Sequence, residues 1–500
     1  MSYQKLSTHF RRLEQLGEVS AIVDWDQAVN MPSAAGQARA EAMAGLNAVQ
    51  HDLLTLPSLA DWFETADREA ELGAWETANL HEMARRWKRA TCLPSALVEK
   101  TTEACKRSEQ AWRRYRAENN FKDYAPYLRE VLALKREEGA LLGDALGLDP
   151  YDALMDEFEP GMNAANVEKL FAKLRQELPG FVDEVIEAQA TQTVEAPKGP
   201  FAIDAQRRLG LSLLSDIGFD TSRGRLDVSH HPFCGGVPQD VRITTRYDEA
   251  DFSRALMGVL HEAGHGKYEQ GLPSQWRHQL VGLARGMAVH ESQSLLLEMQ
   301  VCRSKEFAQY LTPRLIEAFP KSAAAHTDAY SADNIARLLT RVQRSYIRVD
   351  ADEVTYPLHV MLRFDLERRM INGTLTVEDL PEAWDAEMNS LLSLSTAGND
   401  RDGCMQDVHW PSGSFGYFPL YTLGAMAAAQ FFAAYVEQRG SRDVVDSETA
   451  RGEFQALDKW LLEHVWSKAS SQSTDGLLTS ATGKRLSGDA LMTHLRTRYL

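Results

Sequence analysis

Apolar residues return every three to four positions along almost the whole of this chain, and that helical period leaves little room for sheet. The alternation by two that a half-buried strand needs occurs in two short stretches, GRLDVS at 224–229 and DVRITTRY at 240–247, both carrying β-branched residues. The expected fold is mainly α with a small β region. Helices are expected over about 36–50, 67–90, 95–147 and 165–190, with breaks at Pro94, Pro160 and Pro179. VEAPKGPF at 194–201 marks an exposed connection, a short helix follows at 203–216, and the loop HHPFCGGVPQ separates the two strands. Helices resume from 250, the longest over about 332–371 with a kink at Pro357. With no internal repeat, one domain over 1–500 is expected, in three parts: helical 1–195, β region 196–250 and helical 251–500.

A chain of 500 residues has ample core for an enzyme. Its 54 Lys and Arg stand against 71 Asp and Glu, and the net charge of -17 repels phosphate backbones and anionic lipid surfaces. No nucleic acid and no membrane partner is expected. The longest apolar run, GAMAAAQFFAAYV from Gly424, is interrupted by Gln430 and is shorter than the ~20 residues of a bilayer span. The opening MSYQKLSTHFRRLEQLGE has no apolar signal-peptide core, and Cys92, Cys105, Cys234, Cys302 and Cys404 form no CxxC pair. Reduced thiols and a cytoplasmic location follow as expectations.

Chemistry enters at LHEAGHG, residues 260–266. On a helix His261 and His265 share a face and can grip one ion, with Glu262 beside them. Chance yields an HExxH about 0.03 times in a chain of this length and composition. A catalytic zinc site takes three protein ligands and leaves one position open, so a third must be found. The HExxHxxGxxH extension fails, because Tyr268 and Gly271 stand where glycine and histidine are needed. Glu291, in GMAVHESQSLLLEMQ, is the best candidate: its neighbours Met287, Leu295 and Leu296 point to a buried helix, where an unpaired carboxylate is costly. The competing reading is a solvent-facing glutamate. With His261, His265 and Glu291 on the metal, Glu262 would take the proton of an activated water and pass it to the leaving amine, which is peptidase chemistry.

The chain also resembles the carboxypeptidase Taq family of thermostable metallocarboxypeptidases over nearly its whole length. The segments carrying the resemblance are VDWDQAVNMP, HPF at 231–233, DVRIT at 240–244, HEAGH at 261–265, HESQS at 290–294, IRVDAD at 347–352 and GCMQDVHW at 403–410, in that family's order. The resemblance implies the same assignments: His261, His265 and Glu291 on the metal and Glu262 as general base and acid. It further implies a helical, saddle-like molecule with a deep central groove, usually a homodimer. The activity implied is release of single residues from peptides with a free C-terminus, using zinc, or for some members cobalt or another divalent ion. The nearest alternative is a metallo-oligopeptidase cutting internal bonds.

Other residues admit two readings each. Arg348 and Arg242 are candidates for the substrate carboxylate, or are ion-paired; Arg348 stands four residues before Asp352 and would share a helix face with it. DVRIT either offers a free strand edge to a peptide or pairs internally. His231 either bonds substrate backbone or holds its loop. His409 follows Asp407, an acid that could orient a ligand histidine. Tyr421 is a candidate oxyanion donor or an aromatic core contact. Cys234 and Cys404 are expected to be bystanders.

Overall fold

Both expected strands form: β1 spans Gly224–Val228 and, after an unexpected β2 at Cys234–Val237, β3 spans Asp240–Thr245. β1 pairs with β3 in parallel, Gly224 opposite Val241, and β2 pairs with β3 antiparallel, Cys234 opposite Ile243, so the order is β1-β3-β2. β3 is therefore the central strand. Its backbone is used on both sides, and DVRIT offers no free edge. The sequence hid β2 because CGGV carries two adjacent glycines and no alternation, with Gly236 at φ 84°.

This computed structural model describes residues 2–68 and 72–500, and within them the rest of the regular structure is helical, with 21 α-helices. Several expected boundaries are corrected. A helix at Ser2–Val29 was not foreseen. The stretch expected as one helix over 67–90 instead begins at Ala74 and runs to Cys92, after a separate helix at Ser58–Ala66; residues 69–71 lie outside the described residues. The stretch 95–147 is two helices, Ser95–Ala117 and Phe121–Leu146, because Asn119 turns the chain at φ 51° and Asn120 caps the second by accepting the Asp123 amide. Pro179 breaks nothing: it sits inside Ala164–Gln189, whose buried Leu174, Leu178, Phe181 and Val182 outweigh one lost hydrogen bond. The long helix expected over 332–371 is in fact Ala332–Leu339, a single turn at Arg348–Asp350, and Tyr356–Ile371. Asp352 ends the continuity by accepting the amides of Gln343, Val354 and Thr355, each at 3.0 Å. Pro357 then starts the last helix rather than kinking it.

The chain forms two compact units, each assembled from separate stretches: 1–90, 193–339 and 427–486 in the first, 91–192, 340–426 and 487–500 in the second. The expected β region 196–250 falls wholly in the first. A core cluster of that unit gathers Leu6, Phe10, Leu13, Leu59, Met83 and Leu280. The second unit is built around Tyr356–Ile371, which is buried on nearly every side and so shows no polar face. Among the described residues no helix is long and apolar enough to cross a membrane.

Candidate metal centre

Asp251 begins the helix that carries the site: its carboxylate accepts the Ser253 amide at 2.8 Å, and the helix runs Phe252–Gly271. Ala255, Leu256, Val259, Leu260 and Ala263 are buried along it. The sheet braces this helix. Thr245 Oγ1 donates to the Ala255 carbonyl at 3.1 Å, and a Cβ on Gly266 would stand 3.2 Å from Val241 and 3.4 Å from Ile243. At Gly264 the helix Met287–Leu295 crosses so closely that a Cβ would meet the Gln293 carbonyl oxygen at 2.4 Å and Ser294 Cα at 2.5 Å. Only a residue without a side chain permits that approach, and the approach brings Glu291 to the two histidines.

Glu291 Oε2 lies 3.3 Å from His265 Nε2 and 3.9 Å from His261 Nε2, and one ligand atom from each of the three falls within 4.8 Å of the others. Donors held tetrahedrally at zinc bond lengths stand about 3.4 Å apart, so the set fits a small divalent cation. The far side of each imidazole is already engaged. His261 Nδ1 meets Glu298 Oε2 at 2.9 Å, and Arg303 Nη2 holds the other Glu298 oxygen at 2.6 Å. His265 Nδ1 meets His290 Nδ1 at 2.6 Å, and His290 Nε2 meets Glu269 Oε1 at 2.8 Å. Glu298 lies where the second helix loosens into a π-helical stretch, Leu296–Cys302, a feature common at functional sites. Sequence reasoning missed Glu298, Glu269 and the part played by His290.

The electrostatics favour a cation. Burial opposes a charge on His261, but the Glu298 hydrogen bond and the Glu291, Glu262 and Glu298 charges outweigh it and lift the imidazole to about 10. Burial brings His265 down to about 4 and pushes the Glu262 carboxyl up to about 7. Burial also acts against Glu298, yet Arg303 and His261 bring it down to about 2. Glu262 is buried and has no hydrogen bond to another described residue, which leaves its oxygens available. The Cys234 and Cys404 thiols are pushed well above their usual range by burial, and neither belongs to the His261, His265 and Glu291 group.

Two further candidates belong to the same unit. Arg242 turns its fork onto its neighbour Asp240, Nε at 2.9 Å and Nη2 at 2.6 Å, and stacks 4.4 Å over Trp25. His231 is exposed in the β1–β2 loop, its carbonyl accepting from Ser229 Oγ and its ring against His230 at 4.6 Å.

Arg348, His409 and Tyr421 gather in the second unit. Arg348 does not pair with Asp352; its Nε and Nη2 take Asp407 at 2.9 and 3.2 Å, and its Nη1 donates to Tyr356 Oη at 3.0 Å. Arg363 Nη1 takes the same carboxylate at 3.0 Å, while its Nε and Nη2 are buried with no hydrogen-bond partner among the described residues. Asp407 is thus committed to arginines, and the acid at the Nδ1 of a candidate ligand histidine is Glu298. His409 Nδ1 stands 3.7 Å from Asp407, its Nε2 is 3.4 Å from Tyr421 Oη, and the Tyr421 ring lies 5.0 Å from the Arg348 guanidinium.

Two imidazoles and a carboxylate converging from helices, with a free buried glutamate beside them, define the class of metal-dependent hydrolases. The sequence profile of the carboxypeptidase Taq (M32) metallopeptidase family matches residues 5–499. Thermostable carboxypeptidase 1 of Thermus thermophilus is 36% identical over 100% of this chain and 98% of its own length, and the Pyrococcus furiosus protein of the same name is 32% identical over 99% and 98%. Among solved structures, Trypanosoma cruzi metallocarboxypeptidase 1 matches with TM-score 0.97 and 41% identity, covering 100% of this chain and 99% of that one. The M32 carboxypeptidase of Deinococcus radiodurans matches with TM-score 0.92 and 34% identity, covering 100% and 98%. The chain belongs to the carboxypeptidase Taq (M32) metallopeptidase family, and it is a metallocarboxypeptidase.

Proposed function

We propose that this chain acts over its full length as one enzyme that releases single amino acids from peptides with a free C-terminus, and that His261, His265 and Glu291 hold its divalent ion, zinc. The observation that carries this reading is the convergence of those three donors within 4.8 Å while both Nδ1 atoms are engaged elsewhere. A cation bound there would supply Lewis acidity, polarising the scissile carbonyl and lowering the pKa of water. Glu262 takes the proton of the attacking water and delivers it to the leaving amine; its position next to His261 and its uncommitted oxygens support both transfers. Arg348 is the better carboxylate anchor on charge: two arginines share Asp407 there, whereas Arg242 is neutralised one-to-one by Asp240. Tyr421, with His409 at its hydroxyl, is the proposed oxyanion donor, and His231 a backbone contact. The homodimer is carried by family resemblance, and five free cysteines suit the cytoplasm.

Mass spectrometry of N-blocked peptides with free and amidated C-termini tests the reading. Single residues should leave only the free termini, release should stop on chelation and return with zinc or cobalt, and Glu262→Gln should slow it by about 10²- to 10⁴-fold with the metal still bound. Internal cuts in amidated peptides would instead make the chain an oligopeptidase, and activity in a verified metal-free sample would remove the metal from the account.

A further inference from the structure

The two ligand histidines are braced in chemically different ways. His261 rests on a carboxylate, which accepts, so its Nδ1 donates and Nε2 is the nitrogen left to face a cation. His265 rests on a second imidazole, and there the proton must be located by following the chain of contacts outward. At the outer end Glu269 Oε1 lies 2.8 Å from His290 Nε2; a carboxylate accepts, so His290 Nε2 carries hydrogen. A neutral imidazole protonated at Nε2 has a bare Nδ1. With both rings neutral, the 2.6 Å contact between the two Nδ1 atoms takes its hydrogen from His265, and a His265 protonated at Nδ1 turns an unprotonated Nε2 toward Glu291. The opposite placement puts a proton on His265 Nε2, between it and Glu291, where it competes with a cation.

We propose that His290 is a positioning residue: with Glu269 behind it, it selects the His265 tautomer that presents Nε2 to the metal. The helix Met287–Leu295 therefore contributes twice through adjacent residues, Glu291 as ligand and His290 as the orienting partner of a ligand on the other helix. The outer end of this relay is not sealed in apolar packing. His290 and Glu269 border a cavity of about 420 Å³ that also touches Cys234, Trp276 and His278. The His290 ring also packs against Tyr268 at 5.4 Å, so the metal-free melting curve separates a lost hydrogen bond from a clash.

This inference rests on the metal reading above, and its test keeps the two apart. Zinc affinity is measured by competition with a chromophoric chelator, and the cobalt-loaded visible spectrum reports ligand geometry. Thermal melting of the metal-free chains reports the fold. His290→Leu should weaken zinc binding by about 10- to 100-fold and change the cobalt spectrum without lowering the metal-free melting temperature. His290→Asn, which keeps an acceptor near the Nδ1 position, should recover most of the affinity, and Glu269→Gln should lose about 3- to 10-fold. Wild-type affinity in His290→Leu, or no rescue by His290→Asn, would overturn the relay alone. If His290→Leu does not fold, Glu269→Gln decides, and unchanged affinity in it overturns the relay. A wild-type chain that binds no divalent ion overturns the metal reading and the relay with it.

Discussion

Each compact unit buries a group of charges, and the two groups are unbalanced in opposite senses. In the first, Glu262, Glu291 and Glu298 surround His261 and His265, and only Glu298 has an arginine on it. In the second, Arg348 and Arg363 share Asp407, while the nearby Glu367 gives its oxygens to Trp410 Nε1, Tyr151 Oη and the Gly416 amide rather than to a guanidinium. Burying charge without full pairing is expensive, so an imbalance of this kind marks where a ligand of opposite sign belongs. The acid-rich group calls for a cation and the arginine-rich group for an anion, which are the two species a metallocarboxypeptidase must hold.

The contrast breaks most visibly at Asp407. Asp407→Asn would leave two buried guanidinium groups without their shared counter-charge, and urea unfolding should show a loss of about 3–5 kcal/mol with zinc affinity unchanged. A cost under about 1 kcal/mol would mean that the arginines are balanced by something else.

Glu353, also in the second unit, supplies the balanced case. It accepts from His494 Nε2 at 2.7 Å, Arg498 Nη1 at 3.2 Å and Tyr499 Oη at 3.0 Å, tying the last helix down. Burial alone would push its carboxyl up, but the His494 and Arg498 charges and these hydrogen bonds bring it down to about 2 from an ordinary 4.5. A carboxyl lowered on folding stabilises the fold fully above its unfolded value, and that contribution fades as pH falls from about 4.5 to about 2. Glu353→Gln should therefore cost about 3 kcal/mol in urea melts at pH 7 and progressively less below pH 4.5. A gap that is constant with pH would show that the carboxylate's charge is not what holds the helix.

The smallest expected effect sharpens the first group. Glu298→Gln keeps a hydrogen-bonding side chain opposite His261 but removes its charge, and zinc affinity should fall by about 10- to 100-fold in chelator competition. An unchanged affinity would reduce Glu298 to a packing residue.

How far these groups could be read from sequence depended on whether their members are local. His261, Glu262 and His265 lie within one helical turn or so, and the four-residue spacing alone places both imidazoles together. Glu291 followed from its apolar flanks. Glu298 follows Glu291 by seven residues, two helical turns, and that repeat inside LLLEMQ was a signal left unused. Gly264 was illegible in its role, because a lone glycine in a helix does not disclose which backbone approaches it. The Asp407 pairing was hidden for another reason. Arg348 had a nearer acid in Asp352, and local helix geometry favoured that partner until three backbone amides claimed its carboxylate. Strands with alternation were legible at 224–229 and 240–247, whereas β2, made mostly of glycine and valine, depends on β3 for its existence.

The most direct test is calorimetric titration of the metal-free chain with zinc, beside His261→Ala, His265→Ala and Glu291→Ala. The expected result is one tightly bound ion per wild-type chain and loss of that ion in each variant, with the metal-free melting curves preserved. Wild-type stoichiometry and affinity in Glu291→Ala would contradict the three-donor centre on which the account depends.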